Sequence, residues 1–402
     1  MTIEQTLGNI LARSGIAVYG VPGFPVSLLC EQAHATIVRN EKIALELALG
    51  HSLMGTRSAV IVKQVGMNAL VDPLANATFQ GLKAGVIVIA GDDEYLSASQ
   101  TSQDSRHYGP VTRSAIVELH ERIPAEMLED AFSASERFSR VTIVRVTATE
   151  LHCADRTKQN SHASDHASDH ISGTISAVPQ HEQNRGLADP GLTMYGRGMR
   201  VQEITDQMSG YQAGLVYPCI HPSPKLTAAD RYRVSRGTSL SLCHDCPFRG
   251  LFDMFERAKK PVICDSGCCV LLMNMPYTVG LASYGMGSAI ATAHKIGIAF
   301  IGDYALLHSG LQALIEIYER NIPTVTVIMQ NYRLGMTGGQ PMSDIMPYIG
   351  FSNPSVCTCS DTAALREIQS AILVPMQERM KPRTFVVQGQ CQEVINHEYV
   401  EC

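Results

Sequence analysis

Charge is scarce in this chain. Charged residues make up 17% of its 402 positions, against roughly 25% in ordinary soluble proteins. That shortage implies a surface partly covered, as between subunits. A basic surplus is lacking as well: the formal net charge is −6, which argues against nucleic acid as the main partner. No run of eighteen apolar residues occurs, and the opening stretch MTIEQTLGNILARSG has no signal-peptide pattern. A membrane span is therefore not expected, and the expected location is cytoplasmic. In that setting the twelve cysteines read as thiols or metal ligands rather than disulfides. The length leaves room for two or three domains.

What is present falls into two α/β blocks. In the first, residues 1–150, the apolar runs IAVYGV (16–21), SAVIVK (58–63), GVIVIAG (85–91) and VTIVRV (141–146) predict strands with helical segments between them. From 151 to 235 apolar periodicity fades, and SHASDHASDH repeats a small polar unit. This reads as a solvated, partly disordered linker, with metal binding by the His/Asp tract as the alternative. The second block, 236–402, has predicted strands PVICD (261–265), IAFIGD (298–303), TVTVIM (324–329) and TFVVQG (384–389).

Two of these strands end on oxygen-bearing side chains, Asp303 and Asn331. A separation of 28 positions suits a strand–helix–strand crossover, which would put both at the sheet edge where open α/β folds bind ligands. Carboxylate and amide oxygens suit Mg²⁺ when a phosphate supplies the rest of its shell. The bland reading is an ordinary crossover with a capping Asp and a turn Asn. Upstream, YGMGSAIATA (284–293) has Gly285 and Gly287 but no third glycine, a weak dinucleotide signal.

The order GMG–helix–strand–Gly-Asp–helix–strand–Asn resembles the pyrophosphate-binding domain of thiamine diphosphate enzymes. NEKIALELALGHSLMGTR (40–57) resembles the helix of their pyrimidine-binding domain that carries the cofactor-activating glutamate. The resemblance is closest to the large subunit of indolepyruvate ferredoxin oxidoreductase and its 2-oxoacid oxidoreductase relatives. NEKIALE, VKQVGMNALVDPL (62–74), GDDEYLSASQTSQDSRHY (91–108), CHDCPFRGLF (243–252) and MTGGQP (336–341) carry it, over both blocks and about three-quarters of the chain. The relatives have an extra domain where this chain has its linker, and the C-terminal ferredoxin-like module is not matched.

The resemblance implies two thiamine diphosphate-binding-fold domains, each a mostly parallel sheet flanked by helices. It implies Glu41 as the catalytic acid–base and Mg²⁺ held by Asp303, Asn331 and the backbone of Arg333. Contacts to thiamine diphosphate would come from Gly66, Asn68, Met286, Gly302, Asp303, Tyr304, His308, Asn331, Met336 and Thr337, with Met286 as the apolar wedge. Tyr304 departs from the Gly that ends the family's Gly-Asp-Gly. Cys243, Cys246, Cys268 and Cys391 resemble the positions that hold a [4Fe–4S] cluster, and four thiolates are what such a cluster needs. A zinc site or plain buried thiols are the alternatives. Phe24 in GVPGFPVSLL stands where relatives have a Thr facing the substrate. The expected function is decarboxylation of an aryl-pyruvate-like 2-oxoacid, with electrons leaving through the cluster to a ferredoxin or second subunit. The alternatives are a non-oxidative decarboxylase and a non-catalytic cofactor-binding subunit. The resemblance also implies a homodimer or higher assembly.

Overall fold

The computed structural model describes residues 1–154 and 238–401, apart from 96, 98, 100, 101, 121, 336–340 and 392–398. The linker lies outside the described residues, as do Met336 and Thr337. The described residues fall into two compact units, one on each side of that gap.

In the first unit, β1 (Ala17–Gly20), β2 (Thr36–Ile37), β3 (Ser58–Lys63), β4 (Val86–Asp92), β5 (Ala115–Glu118) and β6 (Thr142–Thr147) form one sheet in the order β2-β1-β3-β4-β6-β5. Every pairing is parallel. β4 reads VIVIAGD and is buried at all seven positions. Such an unbroken apolar run is the mark of a strand covered on both faces. The covering helices have local reasons to start where they do. In α1 (Ile3–Arg13), Thr2 and Gln5 form a reciprocal capping box. In α3 (Glu41–Leu53), the Asn40 side chain accepts from Ile43 N. α3 buries ten of its thirteen residues, so it is an internal helix with little amphipathic signal. Also present are α2 (Ser27–Gln32), α4 (Met67–Gln80), α5 (Tyr108–Thr112), α6 (Pro124–Phe138) and α7 (Ala148–His152).

In the second unit, β8 (Val262–Cys264), β9 (Gly280–Ala282), β10 (Ile298–Gly302), β11 (Val325–Gln330), β12 (Ser355–Thr358) and β13 (Arg383–Gln388) form a parallel sheet in the order β12-β13-β11-β10-β8-β9. A short antiparallel pair joins β7 (Thr238–Leu240) to β14 (Tyr399–Glu401). The helix Arg249–Ala258 buries Leu251, Phe252, Met254 and Phe255. Phe252 and Phe255 lie 5.4 and 4.9 Å from the Phe300 ring of β10, each side chain worth roughly 1.5–3 kcal/mol on burial.

All eight predicted strands exist, with ends moved by at most one residue. The strands that sequence periodicity misses are short or lie at sheet edges: β2, β5, β7, β9, β12 and β14. The segment after β10 is not one plain helix. It turns from Asp303–Ala305 into a π turn, Leu306–Gly310, and then into the helix Leu311–Glu319. Gly287 packs there: a Cβ on it would lie 2.4 Å from Ser309 Oγ and 2.6 Å from Gly310 N, and its φ is +83°. The widened turn sits where another backbone presses on the helix, a common place for such a bulge.

Candidate functional site

Parallel strands put all their carboxyl ends at one edge, so each unit has one edge where successive loops meet. Most of the predicted site residues that are described sit on those loops, and the two edges are described separately.

In the first unit, Glu41 opens α3, and Gly66 closes the short turn between β3 and α4. These two touch closely. A Cβ at Gly66 would lie 2.6 Å from Glu41 Oε1 and 2.7 Å from its Cγ, so a side chain there would displace the Glu41 side chain from the loop after β3. Glu41 is half-buried, with Ile43, Ala44 and Leu45 fully buried behind it. Two residues past Gly66, Asn68 donates to Val65 O and Gln103 Oε1, each at 3.1 Å, and accepts from Tyr108 Oη at 2.5 Å.

The loop that delivers Gln103 and Tyr108 is pinned by acids that the sequence left without a role. Asp92 accepts from Ser105 N and Oγ and pairs with Arg145 Nε at 2.6 Å. Asp93 accepts from Ser97 N and Ser99 N. Burial pushes the Asp92 carboxyl above its ordinary range, against the pull of Ser105 and Arg145. The signal available was an acidic pair placed directly at the end of an apolar strand, VIVIAGDD. Phe24, after β1, lines a cleft of about 290 Å³ with Glu4, Gln5, Leu28 and His152, its ring 5.9 Å from the imidazole.

In the second unit, Asp303 follows β10 and Asn331 follows β11, neighbouring strands of the sheet. The structure brings these two together. Asp303, 2% exposed, accepts from Tyr304 N at 2.8 Å and from Tyr332 N at 3.0 Å. Burial raises its pKa, partly countered by those backbone N–H groups. Tyr332 reaches Asp303 from a left-handed backbone, φ +58°; such strain in a non-glycine residue collects at functional loops. Asn331 Oδ1 accepts from Arg333 N at 3.3 Å. A buried carboxylate beside a buried amide gives hard oxygen donors, and a Cβ added at Gly302 would meet nothing within 4 Å. That donor set and that free space fit Mg²⁺ carrying a diphosphate.

Met286 lies half-buried between Gly285 and Gly287. Its carbonyl accepts from Ser309 Oγ at 2.5 Å. Asp265, fully buried at the end of β8, accepts from Gly287 N at 2.8 Å and Ala289 N at 3.0 Å. Asp265 thus shapes the Gly-Met-Gly loop, and sequence reasoning passed it over. Tyr304 and His308 are exposed, with rings 5.8 Å apart.

The four predicted cysteines gather at this same edge. Cys268 Sγ and Cys391 Sγ lie 3.0 and 4.0 Å from one point, the Cβ position of Gly335, with Asn331 Nδ2 at 3.6 Å. Cys391 N reaches Asn331 O at 3.5 Å, and Cys246 N donates to Cys243 O. Burial pushes Cys246 up to about 11 and Cys268 up to about 12, each further raised by charge on the other cysteines of the set. Such thiols stay protonated unless a cation draws them to thiolate. Among the described residues no three His, Cys, Asp or Glu side chains are grouped for a single metal ion.

Residues 265–364 match the family described as thiamine pyrophosphate enzyme, C-terminal TPP binding domain. The chain is 24% identical to indolepyruvate oxidoreductase subunit IorA of Methanothermobacter thermautotrophicus, over 85% of this chain and 72% of that one. It is 22% identical to the same-named subunit of Archaeoglobus fulgidus, over 75% and 67% of the two chains. Among solved structures it resembles the Rhodococcus jostii thiamine diphosphate-dependent 4-hydroxybenzoylformate decarboxylase, with TM-score 0.60, 13% identity, and 98% and 100% coverage. The fold is that of thiamine diphosphate enzymes, and the chain resembles indolepyruvate oxidoreductase subunit IorA. Among the described residues no helix is long and apolar enough to cross a membrane.

Proposed function

We propose that this chain is a thiamine diphosphate- and Mg²⁺-dependent enzyme that oxidatively decarboxylates a 2-oxoacid of aryl-pyruvate type, passing electrons through a [4Fe–4S] cluster to a ferredoxin or partner subunit. The observation that carries the reading is the grouping of Asp303, Asn331, Cys268 and Cys391 at one sheet edge, inside and beside the segment that matches the cofactor-binding family. Bound thiamine diphosphate supplies an electron sink for loss of CO₂, and a cluster takes electrons one at a time.

The protein's own groups divide the remaining work. Asp303, Asn331 and the Arg333 carbonyl would hold Mg²⁺ against the diphosphate, offsetting its charge. Glu41 would exchange a proton with the pyrimidine ring, with Ile43, Ala44 and Leu45 keeping water from its flank. Gly66 lets the neighbouring loop close on that carboxyl group. Met286 would wedge the cofactor, and Phe24 would wall the substrate side. A phenyl ring in place of a hydroxyl removes a hydrogen bond to substrate, which favours the non-oxidative decarboxylase as the second reading.

Protein purified without oxygen separates the two. The proposal expects iron and sulfide, and a broad visible band that bleaches on reduction. Cys391→Ser should lose most of that iron and stop reduction of a one-electron dye while keeping part of the CO₂ release. Iron-free anaerobic protein that still releases CO₂ would leave the non-oxidative decarboxylase standing.

A further inference from the structure

The cleft beside Phe24 contains a carboxylate that the proposed reaction does not use. It encloses about 290 Å³, between the start of α1, the loop after β1, the start of α2 and the end of α7. That volume lies just under the range of small-molecule sites, about 300–1,000 Å³, so it suits one ring system. Phe24, Pro25 and Leu28 give it apolar walls. The Phe24 and His152 rings stand 5.9 Å apart at 46°, which offers an aromatic guest both a face and an edge. The walls are tied down. Ile3 N donates to Cys153 O at 3.0 Å, Thr2 bridges Ala154, and Val26 N donates to Gly23 O at 2.7 Å.

Glu4 is the acid in this lining. It is 2% exposed, in the first turn of α1, and its Oε1 accepts from Leu29 N of α2 at 2.8 Å. That bond stands in for the side-chain cap that α2 lacks. Leu29 is its only hydrogen-bond partner among the described residues. Burial raises the pKa of this carboxyl, against the Leu29 N–H and the charge of His152. Capping accounts for one oxygen. A buried carboxylate with unused acceptor capacity costs the fold free energy until a donor reaches it. We propose that the cleft binds an aromatic ring whose edge carries one hydrogen-bond donor, an indole-type N–H or a phenol O–H, with Glu4 as the acceptor that selects it. Under the thiamine diphosphate reading this ring is the side chain of the 2-oxoacid. That identification rests on the reading; the ring site itself does not.

The test uses the full-length protein and bare rings, without thiamine diphosphate. The chain has no tryptophan, so the fluorescence of indole, excited beyond tyrosine absorption, reports its own binding. Benzofuran, the same shape with an oxygen in place of the N–H, competes against it. Phenol against anisole makes the parallel pair, and the pair with the larger Glu4-dependent ratio identifies the donor. The ring with the donor should bind about tenfold more tightly than its partner, the scale of one hydrogen bond to a charged group. Glu4→Gln keeps an oxygen for Leu29 N but turns N–H donors toward the guest, and should bring the pair within about twofold. Leu28→Asp, at the exposed rim, leaves Glu4 and its bond to Leu29 in place and should weaken every ring about tenfold. Equal binding within both pairs, a preference that survives Glu4→Gln, or rings indifferent to Leu28→Asp would overturn the site. If the preference holds while thiamine diphosphate fails to bind, the cofactor reading falls and the ring site stands.

Discussion

Asp303 shows what a buried carboxylate costs a fold. Its carboxylate is buried and its pKa is raised by desolvation. A raised folded pKa means that the folded state binds this proton more tightly than the unfolded chain does. Asp303 therefore costs the ligand-free protein stability as pH rises from its ordinary value of 3.8 through the folded value. Mg²⁺ would reverse that cost by supplying the missing positive charge. Asp303→Ala is expected to abolish the Mg²⁺-dependent part of thiamine diphosphate affinity, seen by titration with and without EDTA. Affinity that ignores both the substitution and the chelator would remove Asp303 from the metal site. The oxygen donors themselves were legible in the sequence, because they end apolar strands. The buried acids that shape the loops, Asp92, Asp93 and Asp265, were not. Their function is visible only in which backbone N–H groups they accept from.

Between elements, close approach decides more than propensity does. The loop after β3 and the first turn of α3 meet at Gly66 and Glu41, with no room for a methyl group. Gly66→Ala would force one of them to move, at about 1–3 kcal/mol for an overpacked site, and would shift the Glu41 carboxyl. We expect a lowered melting temperature together with a fall in kcat larger than the change in thiamine diphosphate affinity. Unchanged kcat in a destabilised variant would mean that the contact is structural alone. Gly287 and the π turn at Leu306–Gly310 form the matching close approach in the second unit. Helical periodicity announced a helix there but not its widened turn, since the cause is a backbone 23 positions away, between Met286 and Ser309.

For the whole molecule, the scarcity of charge (17%) and the proposed function point to a shared interface. In the proposed reading Glu41 of the first unit and Asp303 of the second both serve the cofactor, and we propose that different protomers supply the two. At least a homodimer is expected: light scattering on an active preparation should return twice the chain mass of 43.7 kDa, or a higher multiple. A monomeric mass in active protein would contradict the shared-site arrangement.

The sequence by itself determined the α/β class, the eight inner strands and the residues at their ends, because apolar runs and their spacing are local properties of the chain. It also brought Asp303, Asn331, Glu41 and the four cysteines into view through motif resemblance. Tertiary structure alone decided which of them meet. The parallel order β13-β11-β10-β8 carries Cys391, Asn331, Asp303 and Cys268 to one edge. The β3–β4 pairing sets Tyr108 against Asn68. Side-by-side pairing of strands distant in sequence is a long-range choice, fixed by how two faces of a sheet are covered. No stretch of the chain contains it.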